Sequence, residues 1–364
     1  MVGEIAVSRD TLRVLILADS RSFHTERYAA ELRQQGCQVL TTSLEDGPME
    51  HHLLRRRGPL RALHYPLAVS EVDRLIDSFE PDIVNAHFAS GYGFLAALAV
   101  RYRKRPFLLH LWGSDVLIAP HRSFLHRRKT RLALETADFV VGDSDYLLSE
   151  AGKIGHIRSR RTIVWGIERT ALQFRRQDVV LFRPLKILVP RPHEAIYNNV
   201  FIVRALTELV KSGDVELTFP AFGNLVSQFR ERTANLIGNG LNFYEKMLRP
   251  DYLRFVAQHD VYLSATRSDS SPASLLEAMA LGLIPVVGDI PGVREWLTLE
   301  SGYLFDLANE GSLREAIAGL LDSVPNHEQM RQHNLKRVQE GAIFEDNIAE
   351  TIAIMHDLAF EGRT

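Results

Sequence analysis

The chain has 364 residues, 46% hydrophobic and 24% charged, a globular composition in a length that exceeds one comfortable core. Its net charge of -2 argues against bulk nucleic-acid binding, yet residues 1–184 carry 27 Lys and Arg against 21 Asp and Glu, so the two halves differ in sign. The single cysteine, Cys37, excludes an internal disulfide and fits a reducing compartment, no apolar run approaches the ~18–20 residues of a membrane span, and MVGEIAVSRD is too polar for a signal-peptide core.

Short apolar runs then alternate with segments of helical period. RVLILA (13–18) reads as a buried strand, 24–35 as a helix stopped by Gly36, and CQVLTT as a second strand. Residues 69–79 are helical and DIVNAH (82–87) is a strand. Residues 92–103 are helical and PFLLHLW (106–112) is a strand. A helix over 123–136, strand DFVVG (138–142), a helix near 145–153 and strand TIVWG (162–166) complete the series. ALQFRRQDVVLFRP (171–184) fits neither period and reads as a linker.

The grammar restarts at KILVP (186–190). Helix 196–211, strand VELTFP (215–220), helix 224–236, strand LNFYE (241–245) and helix 250–257 follow. Strand DVYLSA (260–265), helix 272–281, strand LIPVVG (283–288), a short helix near 292–297 and three helical stretches from about 310 to 361 close the chain. Strands apolar throughout and separated by helices indicate parallel sheets covered on both faces. The expected fold is α/β, with two Rossmann-like doubly wound domains facing a cleft.

The segment SDSSPASLLEAMALGLIPVV (268–287) carries the chemistry. Ser271 reads as an N-cap and Pro272 as the first helical residue. Glu277 stands five residues beyond Pro272, roughly 7–8 Å along the axis, in an otherwise apolar helix. Asp269 precedes the helix, and the side bearing Ala273 and Ser274 is small. A helix N-terminus flanked by two carboxylates suits a diphosphate with sugar hydroxyls on either side. For either carboxylate alone, a solvated helix face or a turn residue is the simpler reading. The combination favours a nucleotide-sugar site.

This segment, D-SSPASLL-E-AMALGLIPVV, resembles the acidic-x7-glutamate motif of glycosyltransferase family 4, retaining enzymes of the GT-B fold. RVLILADSRSFHTERYAAELRQQGCQV, DIVNAHFASGYG, LLHLWGSDV, ALETADFVVGDSDYL, VWGIE, ILVPRPHEAIYNNVFIVRAL and GDIPGVREWL resemble its other stations, over nearly the whole chain. The resemblance implies an acceptor-side domain over 1–170, the linker 171–184, a donor domain over 185–340, and a terminal helix over 341–364 packing back on the first domain. It implies that Glu277 holds ribose hydroxyls and Asp269 donor-sugar hydroxyls, with Arg191 neutralising the diphosphate. Ser271, Ser274 and Leu275 lie at the diphosphate. His24, His87 and Asp115 fall on the acceptor side, where His87 is the candidate catalytic histidine. A lone histidine at a strand end is more often structural, and Asp115 equally reads as a loop cap.

The implied reaction moves a sugar from a nucleotide diphosphate sugar to a sugar, lipid-linked or small-molecule hydroxyl acceptor, with retention and without metal or other cofactor. Departures from the pattern are Asp19-Ser20-Arg21-Ser22 in place of a glycine pair, no lysine in PRPHEAIYNN, Trp112 in place of histidine, and Ala221-Phe222-Gly223 in place of glycine-x-glycine. They motivate two rivals, an inactive nucleotide-sugar-binding relative and a sugar-nucleotide epimerase. The basic runs 55–57, 126–131 and 158–161 suggest anionic lipid or lipid diphosphate as a partner, solvated arginines being the plainer alternative. No nucleic-acid partner is expected. The expected location is the cytoplasm, in solution or peripheral at the inner membrane face.

Overall fold

The computed structural model describes residues 11–54, 64–101, 105–177, 181, 183–237, 240–322 and 327–360. The basic run 55–57 and parts of 171–184 and 341–364 therefore lie outside the described residues. The chain divides into two compact units, 1–163 with 345–364, and 164–344.

The first unit is built on β1 (Arg13–Leu17), β2 (Gln38–Ser43), β3 (His52–Leu53), β4 (Ile83–His87), β5 (Phe107–His110), β6 (Phe139–Gly142) and β7 (Arg160–Thr162). They form one parallel sheet in the order β3-β2-β1-β4-β5-β6-β7. Central strands β1 and β4 are almost wholly buried, which is why they read as continuous apolar runs. The strand order reverses direction between β1 and β4, so a crevice opens beyond their carboxyl ends.

Two sequence expectations change here. The run 162–166 is not a strand: β7 is the exposed edge segment Arg160–Thr162, and Ile163 and Val164 are buried where the chain passes between units. Helix 92–103 instead begins as a π-helix at Phe88–Gly93 and continues as Phe94–Val100. Phe88 enters it at φ 73°, a strained value for a bulky residue.

The second unit is built on β8 (Leu185–Leu188), β9 (Val215–Pro220), β10 (Leu241–Tyr244), β11 (Val261–Ser264), β12 (Ile284–Gly288) and β13 (Tyr303–Phe305). The parallel order is β10-β9-β8-β11-β12-β13, the strand order of a dinucleotide-binding sheet. Here the reversal falls between β8 and β11. One apolar cluster, including Phe201, Leu206, Phe219 and Leu313, packs around these strands, and another, including Leu276, Met279, Val287 and Trp296, surrounds the helix Ala273–Leu281.

The span 171–184 is not a linker throughout. Arg169–Phe174 is a 3-10 helix with Ala171 buried in the second unit, and Arg176 pairs with buried Asp260. The change of unit falls at 163/164 and again at 344/345. Ile167 N–H donates to Ala342 O at 2.9 Å, and Phe344 N–H donates to Ile167 O at 2.8 Å, so outgoing and returning chain run side by side. Gly166 makes this possible: at φ 64° a Cβ there would meet Ala342 O at 2.4 Å. The helix Phe344–Phe360 belongs to the first unit, where Met355 and Ala359 are buried and Gln35 Nε2 donates to Glu345 O at 2.9 Å.

Candidate functional site

In the second unit, residues at the carboxyl ends of β8 and β11 meet where the strand order reverses. Arg191 follows β8 and Asp269 follows β11, and their side chains form a tight ion pair, both largely withdrawn from solvent. Burial pulls the Arg191 guanidinium down and the Asp269 carboxylate raises it further, so the net shift is upward and the group stays a cation. The Tyr197 ring lies 5.2 Å from Arg191 Cζ, and Tyr262 also bonds to the guanidinium. Asp269 is held in turn by the close packing of its backbone. A Cβ on Gly292 would meet Asp269 O at 2.5 Å and Ser270 O at 2.4 Å, so only glycine lets the segment after β12 lie against this turn.

The helix Ala273–Leu281 follows directly. Its N-cap is Pro272, which offers no side-chain cap. This corrects two expectations. Ser271 does not cap the helix, because its hydroxyl accepts the indole N–H of Trp296 in a buried bond. Leu275 is fully buried, and its N–H already donates to Pro272 O at 2.9 Å, so it is not a diphosphate donor. Ser274 stays at the site, its hydroxyl 3.0 Å from the Tyr262 hydroxyl. Tyr262 thus joins Arg191 to the first turn of the helix.

Glu277 is where the sequence posed its sharpest question, as a carboxylate inside an apolar helix. Its compensation is Arg249, whose Nη1 lies 2.6 Å from Glu277 Oε1 and whose Nη2 lies 2.6 Å from Glu168 Oε2. The three side chains are 27%, 12% and 20% exposed for Arg249, Glu277 and Glu168. Burial lowers the Arg249 pKa and the two carboxylates more than reverse it. Tyr252 and Tyr244 complete the surroundings, both hydroxyls pushed up by burial and by the Glu277 charge. Sequence reasoning missed Arg249, Glu168 and Tyr262 as site residues. Glu168 stood within VWGIE, but nothing local marks Arg249, because its partners lie 28 and 81 residues away in the chain.

On the far side of the Arg191 loop, His193 donates through Nε2 to Pro220 O at 2.8 Å, and Asn199 Nδ2 sits 3.3 Å from its Nδ1. These residues, with Asn198, Gln228, Arg232 and Arg267, line a cavity of about 340 Å³.

The first unit carries its own crevice at the β1/β4 reversal. A cavity of about 320 Å³ is lined by Asp19, Ser22, Thr25, His87, Phe88, Gly91, Tyr92 and Trp112. His87 ends β4 and is 2% exposed. Burial and the neighbouring His110 push its pKa well below the ordinary imidazole value, and burial takes His110 down to about 3. Asn85 Nδ2 donates to Leu108 O at 3.1 Å and to His110 Nδ1 at 3.0 Å, so its Oδ1 accepts from His87 Nε2 at 3.3 Å. Both imidazoles are neutral and their tautomers are fixed. His24 is not in the cavity lining. It packs edge-on against Trp112, ring centroids 5.5 Å apart.

Asp115 is not available to an acceptor. It is fully buried, with Oδ2 accepting Ala89 N–H at 2.7 Å and Oδ1 accepting Trp112 N–H at 2.9 Å. Burial raises its carboxyl to about 6 against the lowering by these backbone bonds. It ties the start of the π-helix to the Trp112 loop, which makes it a positioning residue for two walls of the cavity. Among the described residues, no group of three or more His, Cys, Asp or Glu is placed to hold a metal ion.

The Glycosyl transferase 4-like family model matches residues 13–144, and the Glycosyl transferases group 1 model matches residues 187–323. The chain is 25% identical over 243 residues to TuaC of Bacillus subtilis (strain 168), named for teichuronic acid biosynthesis as a glycosyltransferase. That match covers 65% of this chain, which spans about 60% of the length of the curated relative. The fold is similar to that of sucrose-phosphate synthase from Thermosynechococcus elongatus, with a TM-score of 0.80 at 14% identity over 95% of this chain and 99% of that one. It is similar also to Anabaena Alr3699/HepE, solved in complex with UDP-glucose, with a TM-score of 0.77 at 16% identity over 94% of this chain and 100% of that one.

Proposed function

We propose, because this chain belongs to the glycosyltransferase 4-like family of GT-B proteins, that it transfers a sugar from a nucleoside diphosphate to a hydroxyl acceptor with retention. The observation that carries the reading is the Arg191–Asp269 pair at the β8/β11 reversal, beside the N-terminus of a helix that presents Glu277 less than two turns further on. Arg191 donates to the diphosphate, whose charge grows as the sugar leaves. The Ser274 hydroxyl and the helix N-terminus add neutral donors on the same side. Asp269 takes donor-sugar hydroxyls and Glu277, oriented by Arg249, takes the ribose hydroxyls.

The bond from the anomeric carbon to the diphosphate oxygen breaks, and the acceptor oxygen bonds to the same face of that carbon. The acceptor proton passes to a phosphate oxygen of the leaving group, so no protein nucleophile is needed. The cation is a guanidinium, and the reading gives no role to a divalent ion or other cofactor. The first unit's cavity is the acceptor subsite, with Trp112 as a surface for a sugar ring and neutral His87 as a hydrogen-bonding wall.

Uridine diphosphate sugars are the first donors to test, since HepE was solved with UDP-glucose. Titration calorimetry with UDP, repeated on Arg191→Ala, tests the site. Equal affinity in both proteins refutes the assignment of Arg191. Product analysis with donor alone separates transfer from epimerisation: an epimer of the donor sugar refutes transfer as the reaction.

A further inference from the structure

The helix Phe124–Thr136 leads the first unit with two of its most exposed apolar side chains. Phe124 is 75% exposed and Leu125 61%. They are adjacent in sequence at the helix N-terminus, and Ser123 caps that end through its hydroxyl. A lone exposed apolar residue is ordinary, but two consecutive ones at a capped helix end form a tip that gains nothing from water.

What surrounds the tip gives it a partner. Arg122 precedes it, and Arg127, Arg128, Lys129 and Arg131 follow within two turns, with Glu135 the single acidic residue of the helix. Arg128 lies over the Phe124 ring with its Cζ 5.6 Å from the centroid, and Lys129 reaches the Phe94 ring at 5.2 Å. Arg122, Arg127 and Arg128 are exposed, and only Arg131 is drawn off by the helix's own carboxylate, Glu135, at 2.7 Å. Apolar groups that enter a headgroup layer, ringed by cations that meet its phosphates, are the two components of interfacial binding.

We propose that the helix Phe124–Thr136 docks the first unit on an anionic lipid bilayer, with Phe124 and Leu125 inserted among the headgroups and the arginines on the phosphates. The same helix packs on Phe88–Gly93, the segment that lines the first unit's cavity. Docking there holds that cavity near the membrane surface, which suits a hydroxyl acceptor carried on a lipid. The docking itself does not depend on the reaction proposed above. No helix among the described residues is long and apolar enough to cross a membrane.

Vesicle flotation of the full chain tests this, with phosphatidylcholine alone and with phosphatidylcholine plus phosphatidylglycerol, at low and high salt. The expected result is binding to the anionic vesicles only, weakened by salt. Arg127→Gln with Arg128→Gln should weaken it about thirtyfold, and Phe124→Ser with Leu125→Ser should weaken it at least about tenfold. All four side chains are exposed, so unchanged thermal unfolding of both variants shows that the fold is kept. UDP affinity should stay at the wild-type value in both, which separates loss of docking from loss of the donor site. No binding by the wild-type chain overturns the proposal. So does binding that survives either double substitution at wild-type strength.

Discussion

Arg249→Leu should destabilise the second unit by about 2–4 kcal/mol. Arg249 holds two carboxylates at 2.6 Å each, and all three side chains are at least about seven-tenths withdrawn from water. Breaking a fully buried pair by removing one partner costs ~3–5 kcal/mol, because the remaining charge is stranded. Residual exposure lets water screen part of that, while the two remaining carboxylates repel each other, which together give the stated range. The assay is urea unfolding, following the transition that reports the second unit. The control is Lys336→Gln, whose partner Glu340 lies at 3.7 Å on an exposed helix face and whose loss should cost under ~0.5 kcal/mol. Adding Glu277→Gln and Glu168→Gln to Arg249→Leu should restore more than half of the loss, since no charge is then left unpaired. If Arg249→Leu costs no more than the control, or the neutral triple variant is no better than the single, the triad is not what compensates Glu277.

Four further outcomes follow from the geometry. Glu277→Gln keeps the shape and leaves Arg249 paired with Glu168, so thermal stability should hardly move while UDP affinity falls about tenfold to a hundredfold by calorimetry, through the loss of charge-assisted bonds. Gly292→Ala places a methyl against the Asp269 and Ser270 carbonyls and should lower both turnover and the melting temperature of the second unit, which holds this turn. His110, held neutral with its pKa lowered to about 3, takes up a proton only on unfolding as pH drops below 6.5. It should therefore remove about 2 kcal/mol of stability between pH 7 and pH 5, with buried His87 acting in the same direction. Asp115, raised to about 6, opposes this by protonating in the folded state, and His110→Asn should flatten the acid limb of the thermal-unfolding profile. Finally, EDTA should leave the initial rate of sugar transfer unchanged; a rate restored only by added divalent cation would count against the guanidinium's role at the diphosphate.

The two sheets were legible because parallel strands buried on both faces write themselves as apolar runs, as RVLIL and IPVVG do. The turn at Asp269 and the helix behind it were legible for a similar reason, since proline, small residues and one glutamate in an apolar stretch leave few alternatives. What could not be read was long-range pairing. Asp115 looks like a loop carboxylate until its two oxygens are seen on backbone amides of two different segments. Ser271 fits an N-cap by local rules, and a tryptophan 25 residues on takes its hydroxyl. The π-helix at Phe88–Gly93 is written FASGYG, whose two glycines and serine read as a loop; Phe88 at positive φ and Asp115 receiving Ala89 N–H mark its start.

The return of the chain at 344/345 has a consequence for synthesis. The first unit owns a helix, Phe344–Phe360, that is made only after the whole second unit, so it lacks that helix until the second unit has been synthesised. The unit encoded in the middle, by contrast, is contiguous and holds both passing segments through Ile167, Ala342 and Phe344. Removing the residues after Phe344 should therefore injure the first unit and spare the second.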